Sequence, residues 1–175
     1  MKYLVISDIH GNSYYANKID EIVDNEKPDK IIILGDLYYD YTNNYPTRDA
    51  ISNRLNKYKN IILCTRGNCD NKTDEEVSDF NFFDYFRLNI ENKTFFFTHG
   101  HLYNMNNLPK DIDVIVYGHL HSSFIIKKDD VIIANPGSIS VPRGNSDNSY
   151  MIIDNDSIII KDILGNVIDG IKYNN

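Results

Sequence analysis

Apolar runs and polar stops alternate through the first third of the chain. Tyr3-Leu4-Val5-Ile6 is continuously apolar, which predicts a strand buried on both faces, and it stops at Ser7-Asp8. Ser13 is placed to N-cap a helix running to about Glu26, with Ala16, Ile19, Ile22 and Val23 at helical spacing. Pro28 ends it. Ile31-Ile32-Ile33-Leu34 predicts a second buried strand, stopping at Gly35-Asp36. A tyrosine-rich loop follows from Tyr38 to Pro46, and Thr47 opens a second helix to about Tyr58. Ile61-Ile62-Leu63-Cys64 is a third strand, stopping at Arg66-Gly67-Asn68. The order β-α-β-α-β implies a parallel sheet with right-handed crossovers. Ligands bind such sheets outside the carboxyl ends of the strands, where all three polar motifs lie.

The pattern changes after residue 70. Residues 71–81 are polar and read as loop with a short helical turn. Tyr85 to Ile90 and Thr94 to Thr98 flank Glu91-Asn92-Lys93 as a hairpin, and the second run feeds His99. Val114 to Tyr117 is another buried strand and feeds Gly118-His119. Phe124 to Lys127 and Val131 to Ala134 pair across Lys128-Asp129-Asp130, and Asn135-Pro136-Gly137-Ser138 reads as a turn. Ser149 to Ile153, Ser157 to Ile163 and Val167 to Tyr173 predict a closing meander. The expected fold class is α/β: a two-sheet, mixed β-sandwich flanked by helices. With 175 residues and no linker or repeat, residues 1–175 are expected to form one domain.

Composition narrows the partners. No apolar run approaches the roughly 18 residues of a membrane span. Lys2 leads directly into a strand, so no signal peptide is expected. Cys64 and Cys69 are too few for a disulfide framework, which fits a reducing cytoplasm. A net charge of -7 argues against nucleic acid as a partner. It does not exclude a small phosphorylated substrate, because two bound divalent cations would reverse the sign locally.

All 5 histidines fall in three short motifs: Asp8-Ile9-His10, His99-Gly100-His101 and Gly118-His119-Leu120-His121. Asp8 and His10 are two apart, as are His119 and His121, and on an extended chain each pair points to one side. Gly35 lets the backbone bring Asp36 close, and a carboxylate can bridge two cations. Asn68 adds a carbonyl oxygen and His99 a nitrogen. These are two Asp, one Asn and four His, too many for one tetrahedral ion and suited to two. Nitrogen and oxygen donors without thiolate favour manganese, iron, nickel or zinc. Two such ions roughly 3.5–4 Å apart can hold a bridging hydroxide and stabilise an in-line displacement at phosphorus.

Asp8-x-His10, Gly35-Asp36, Gly67-Asn68, His99 and Gly118-His119-x-His121, in this order, resemble the calcineurin-like metallophosphoesterases. Arg66-Gly67-Asn68-Cys69-Asp70, Thr98-His99-Gly100-His101 and Asn135-Pro136-Gly137-Ser138 are similar to the small, cap-less phosphodiesterases of the YfcE type. The resemblance implies the four-layer α/β/β/α form of the fold. It implies two divalent ions, manganese foremost, in a cytoplasmic hydrolase of small phosphodiesters that forms a homo-oligomer. Asp8, His10, Asp36 and His121 would hold one ion. Asp36, Asn68, His99 and His119 would hold the other, and hydroxide on the metals would attack. Larger relatives place a histidine after the ligand asparagine as the leaving-group acid; here that residue is Cys69, so His101 becomes the second candidate acid. Arg66 and Arg143 are candidate phosphate contacts alongside Asn68, because guanidinium matches phosphate geometry.

Blander readings stand beside these. His101 can be a histidine that only hydrogen-bonds a ligand or a loop. Arg66 can be a brace for the Asn68 loop, Cys64 is a core residue, and the tyrosine loop is solvated surface or a pocket wall. The competing function is a non-catalytic scaffold that binds protein partners, by analogy with the retromer subunit of the same fold. That branch has lost part of the ligand set, whereas every position here carries a competent donor.

Overall fold

The computed structural model describes residues 1–39 and 48–174. Most of the tyrosine loop, and Thr47, lie outside the described residues. Two mixed sheets stack face to face. The larger has the order β12-β11-β10-β1-β2-β3-β4, and the smaller β5-β6-β7-β9-β8. In the first, β1 (Tyr3–Ile6), β2 (Lys30–Ile33), β3 (Ile62–Thr65) and the short β4 (Phe82–Phe83) run parallel. The antiparallel meander of β10 (Ser149–Ile153), β11 (Ser157–Asp162) and β12 (Val167–Lys172) continues from β1. In the second, β6 (Lys93–Thr98), β7 (Val114–Tyr117) and β9 (Val131–Pro136) run parallel, with β5 (Tyr85–Ile90) and β8 (Ser123–Lys128) antiparallel at the edges. The two-sheet mixed sandwich expected from the sequence is therefore present.

Alternation along the strands sorts the core into layers. Leu4 and Ile6 face α1 (Ser13–Glu26) and α2 (Arg48–Leu55), packing on Ala16, Ile19, Ile22, Ile51 and Leu55. Tyr3 and Val5 point the other way, into an inter-sheet layer with Ile32, Phe95, Phe97, Val114, Val116 and Met151. The outer face of the second sheet carries Phe96, Ile115, Tyr117 and Ile133, covered by Tyr103, Met105, Leu108 and Ile112 of the β6–β7 connection. No helix among the described residues is long and apolar enough to cross a membrane.

Several boundaries differ from the sequence reading, each for a local reason. The cap of α1 is Asn12, whose side chain accepts from the N–H groups of Tyr14 and Tyr15 at 3.1 and 3.4 Å; Ser13 is the first helical residue. The helix ends at Glu26 as expected, with Lys27 left-handed at φ 48° ahead of Pro28. Asn135 and Pro136 close β9 rather than forming a turn, which begins at Gly137 with φ 78°. Within 71–81 the helical turn is α3 (Lys72–Glu76), capped by Asn71 through a capping box with Asp74. Asn12→Ala should lower unfolding stability by about 1 kcal/mol, whereas Ser13→Ala should be nearly silent. Urea denaturation of the two variants checks the assignment.

Candidate metal centre

Each predicted donor lies just past a strand's carboxyl end: Asp8 and His10 after β1, Asp36 after β2, Asn68 after β3, His99 after β6, His119 and His121 after β7. The two-residue spacing works differently from the extended-chain reading. Asp8, His10, Asp36, His119 and His121 all adopt the left-handed region, with φ of 56°, 47°, 54°, 64° and 60°. The chain therefore leaves the strand and turns sharply at each donor. Asp and His are among the residues that tolerate this region. Concentrated backbone strain of this kind accompanies functional sites.

Glycines permit the close approach. Gly35 has φ 88°, and a Cβ there would lie 2.7 Å from Gly67 Cα and 2.9 Å from His99 Nδ1. A Cβ on Gly67 would overlap the Asp36 backbone nitrogen and carboxylate. One on Gly118 would overlap the Ser7 hydroxyl and sit 2.8 Å from Asp8 Oδ2.

The donors converge into two adjoining groups. Asp8 Oδ1 lies 3.2 Å from His121 Nε2 and 3.7 Å from His10 Nε2. His99 Nε2 is 3.0 Å from Asn68 Oδ1 and 3.2 Å from His119 Nδ1. Asp36 Oδ2 stands between the groups, 3.6 Å from His10 Nε2 and 3.4 Å from His99 Nε2. Donor atoms of Asp8, His10 and His121 cluster closely, as do those of Asp8, Asp36 and His99.

Hydrogen bonding orients the rings of this cluster. His10, His99 and His121 each place Nδ1 against a backbone carbonyl, of Tyr39 at 3.0 Å, Leu34 at 2.6 Å and Val141 at 2.7 Å. A carbonyl can only accept, so each Nδ1 carries a proton and each ring turns its Nε2 toward the cluster. His10 Nε2 and His121 Nε2 face each other at 3.2 Å. Asp8 Oδ1 is buried against the His121 and His10 Nε2 atoms, at 3.2 and 3.7 Å. Imidazole nitrogens and buried carboxylate oxygens converging in this way suit a cation.

Electrostatics agree. Burial would push Asp8 up, but hydrogen bonds with His10 and His121 and the charge of His99 hold its carboxyl well below the usual range. Asp36 is likewise held down against burial by His99 and the Cys69 N–H. His99 is pushed up to about 9, because the Asp36 hydrogen bond and the charges of Asp8 and Asp36 outweigh its burial. The two carboxylates demand positive charge at this point.

The other predicted residues are placed as follows. His101 lies beside the donors, its ring centroid 5.4 Å from that of His99, and burial with the fields of His99 and His119 lowers its basicity. Cys69 gives its backbone N–H to Asp36 Oδ1 at 2.9 Å, and Asn68 Nδ2 contacts its sulfur at 3.3 Å. The Arg66 guanidinium is bridged to Glu75 and to Asp84, the latter at 3.5 Å. Arg143 is exposed, and its backbone N–H donates to the His121 carbonyl at 2.9 Å. Cys64 is buried in β3, as expected of a core residue.

Several supporting residues went unassigned in the sequence reading. Asp70 accepts from the N–H groups of Asp36, Leu37 and Gly67 at 2.8, 2.9 and 2.7 Å, clamping the β2 and β3 loops together. Ser138 and Ser140 donate to the Asp8 carbonyl at 2.7 and 2.9 Å, and Asn135 donates to the Gly118 carbonyl at 2.7 Å. Only the conjunction of Asp70 with Gly67-Asn68 and of Asn135 with Gly137-Ser138 hinted at these roles.

A profile of the calcineurin-like phosphoesterase superfamily domain matches residues 1–157. The chain belongs to this superfamily. As a member it is a phosphoester hydrolase. It is 33% identical over 167 residues to phosphodiesterase YfcE of Escherichia coli, covering 91% of each chain. The solved structure of that phosphoesterase superposes with a TM-score of 0.93 at 30% identity, over 99% of this chain and 100% of its own. Vacuolar protein sorting 29 from Cryptosporidium parvum shares the fold, with a TM-score of 0.70 at 18% identity over 98% and 97% of the two chains.

Proposed function

We propose that this member of the superfamily hydrolyses a small phosphodiester at two divalent cations. Asp8, His10, Asp36 and His121 would hold one, and Asp36, Asn68, His99 and His119 the other. Manganese suits the donor set first, with iron, nickel or zinc as substitutes. The observation that carries the reading is Asp36 Oδ2, 3.6 and 3.4 Å from the inward nitrogens of His10 and His99. When bound, the pair of ions supplies an activated water at neutral pH and compensates the charge that builds on the phosphoryl oxygens.

The chain's own residues set the frame for that chemistry. Asp70 and the Cys69 N–H fix the Asp36 carboxylate, and the carbonyl partners of His10, His99 and His121 fix their tautomers and ring planes. With Asp8 and Asp36 as the carboxylate donors, two divalent cations leave the centre net positive, which attracts a phosphodiester anion despite the protein's overall charge of -7. His101, its ring centroid 5.4 Å from that of His99, is one candidate acid for the leaving group, and Cys69 is the other. A thiol of ordinary pKa, about 8.5, is a poor acid at neutral pH, so diesters with acidic leaving groups should react best. The complete donor set separates this reading from that of a protein-binding scaffold.

Chelator-treated protein should lose hydrolysis of bis-p-nitrophenyl phosphate and regain it on adding manganese. Equal, negligible rates with and without metal would overturn the proposal.

A further inference from the structure

Beside the donor cluster lies a cavity of about 290 Å³ that the hydrolytic centre itself does not use. His101 and His119 form its wall toward the centre, and Met105, Tyr117 and Leu120 also line it. Asn104 shapes the loop over it, donating from Nδ2 to the Gly100 carbonyl at 2.9 Å. Among the described residues, no Asp, Glu, Lys or Arg lines it.

We infer that this cavity is the subsite for one ester substituent of the substrate, and that it takes a flat, uncharged ring, an aryl group or a nucleobase. The inference rests on the phosphodiesterase reading and deepens it. Three observations carry it. First, the wall is shared: His119 belongs to the donor cluster, so a phosphoryl group held there has its ester oxygen at the cavity's edge. Second, the volume is close to the lower end of small-molecule pockets, roughly 300–1,000 Å³, which suits one ring system and not a polymer. Third, the lining is chemically matched. The Met105 thioether is an adaptable partner for an aromatic face, and Leu120, 43% exposed, presents an apolar surface at the rim. An ionised substituent would find no counter-charge among these side chains.

The chain carries its own reporter. Of its 3 methionines, Met105 lines the cavity, Met151 is buried between the sheets, and Met1 is exposed at the start of the chain. Methyl-labelled methionine in the zinc-loaded protein should therefore show the Met105 signal moving by more than its line width on adding phenylphosphonate. Methylphosphonate should leave it in place, and Met151 should move with neither. Calorimetry should find phenylphosphonate bound at least about tenfold more tightly than methylphosphonate. Equal affinities would overturn the subsite, as would a phenyl preference without a Met105 shift, because the ring would then sit elsewhere. If neither phosphonate binds zinc-loaded protein, the phosphoester centre itself fails and the subsite with it.

Discussion

Asp36→Asn should reduce diester hydrolysis by roughly 10³-fold, the equivalent of about 4 kcal/mol, and should lower the bound metal of the purified protein. The substitution is nearly isosteric. It keeps an oxygen to accept the Cys69 N–H at the Oδ1 position. It removes the negative charge and replaces one oxygen with an NH2 group that cannot coordinate. That change falls on the atom standing between the two donor groups. Because Asp8 remains, the variant should still fold and retain some affinity at the His10–His121 side. Metal analysis and steady-state rates on the same preparation check both halves. Full occupancy with a normal rate would contradict the bridging role.

Gly67→Ala should cost nearly as much, although it touches no donor atom chemically. The added methyl would overlap the Asp36 backbone nitrogen and carboxylate, and lie 2.8 Å from Asp36 Cγ. A flexible side-chain tip could move aside, but backbone held by Asp70 cannot do so cheaply. The Asp70 carboxylate ties Asp36 N and Gly67 N to one group at 2.8 and 2.7 Å. Relief must therefore pull the β2 and β3 loops apart. We expect about 1–3 kcal/mol of lost stability and a fall in activity of roughly 10²-fold, since small displacements of positioned groups are costly. Gly170→Ala on exposed β12 is the control: its Cβ meets nothing closer than 3.4 Å, and neither stability nor rate should change appreciably. Unfolding curves and rates for the pair separate steric disruption of the centre from a generic glycine effect.

These outcomes follow from how the chain encodes the site. The gathering of the candidate donors was legible because each follows an apolar run, and a polar stop at a strand's carboxyl end is a local signal. The reason for the Asp8/His10 and His119/His121 spacing was not legible. Those residues leave the strand in left-handed turns, a conformation set by anchors far away in sequence. Ser138 and Ser140 reach the Asp8 carbonyl across 130 and 132 positions. The clamp role of Asp70 depends on two loops meeting through parallel β2–β3 pairing, which no sequence window contains. The α1 cap was misplaced by one residue because Asn12 and Ser13 are both good caps. β4, of 2 residues, was missed because its strand character comes from pairing with β3, not from its own pattern. The sequence reading had already set His101 apart from the four candidate ligand histidines. In the structure His10, His99 and His121 have one nitrogen locked on a carbonyl, His119 faces His99, and His101 has a buried Nδ1 with no hydrogen-bond partner.

The central claim is that these side chains hold two cations that share Asp36. Elemental analysis of protein stripped with chelator, reloaded with manganese and exhaustively dialysed tests it most directly. The account predicts about two manganese ions per chain; one or none would contradict it.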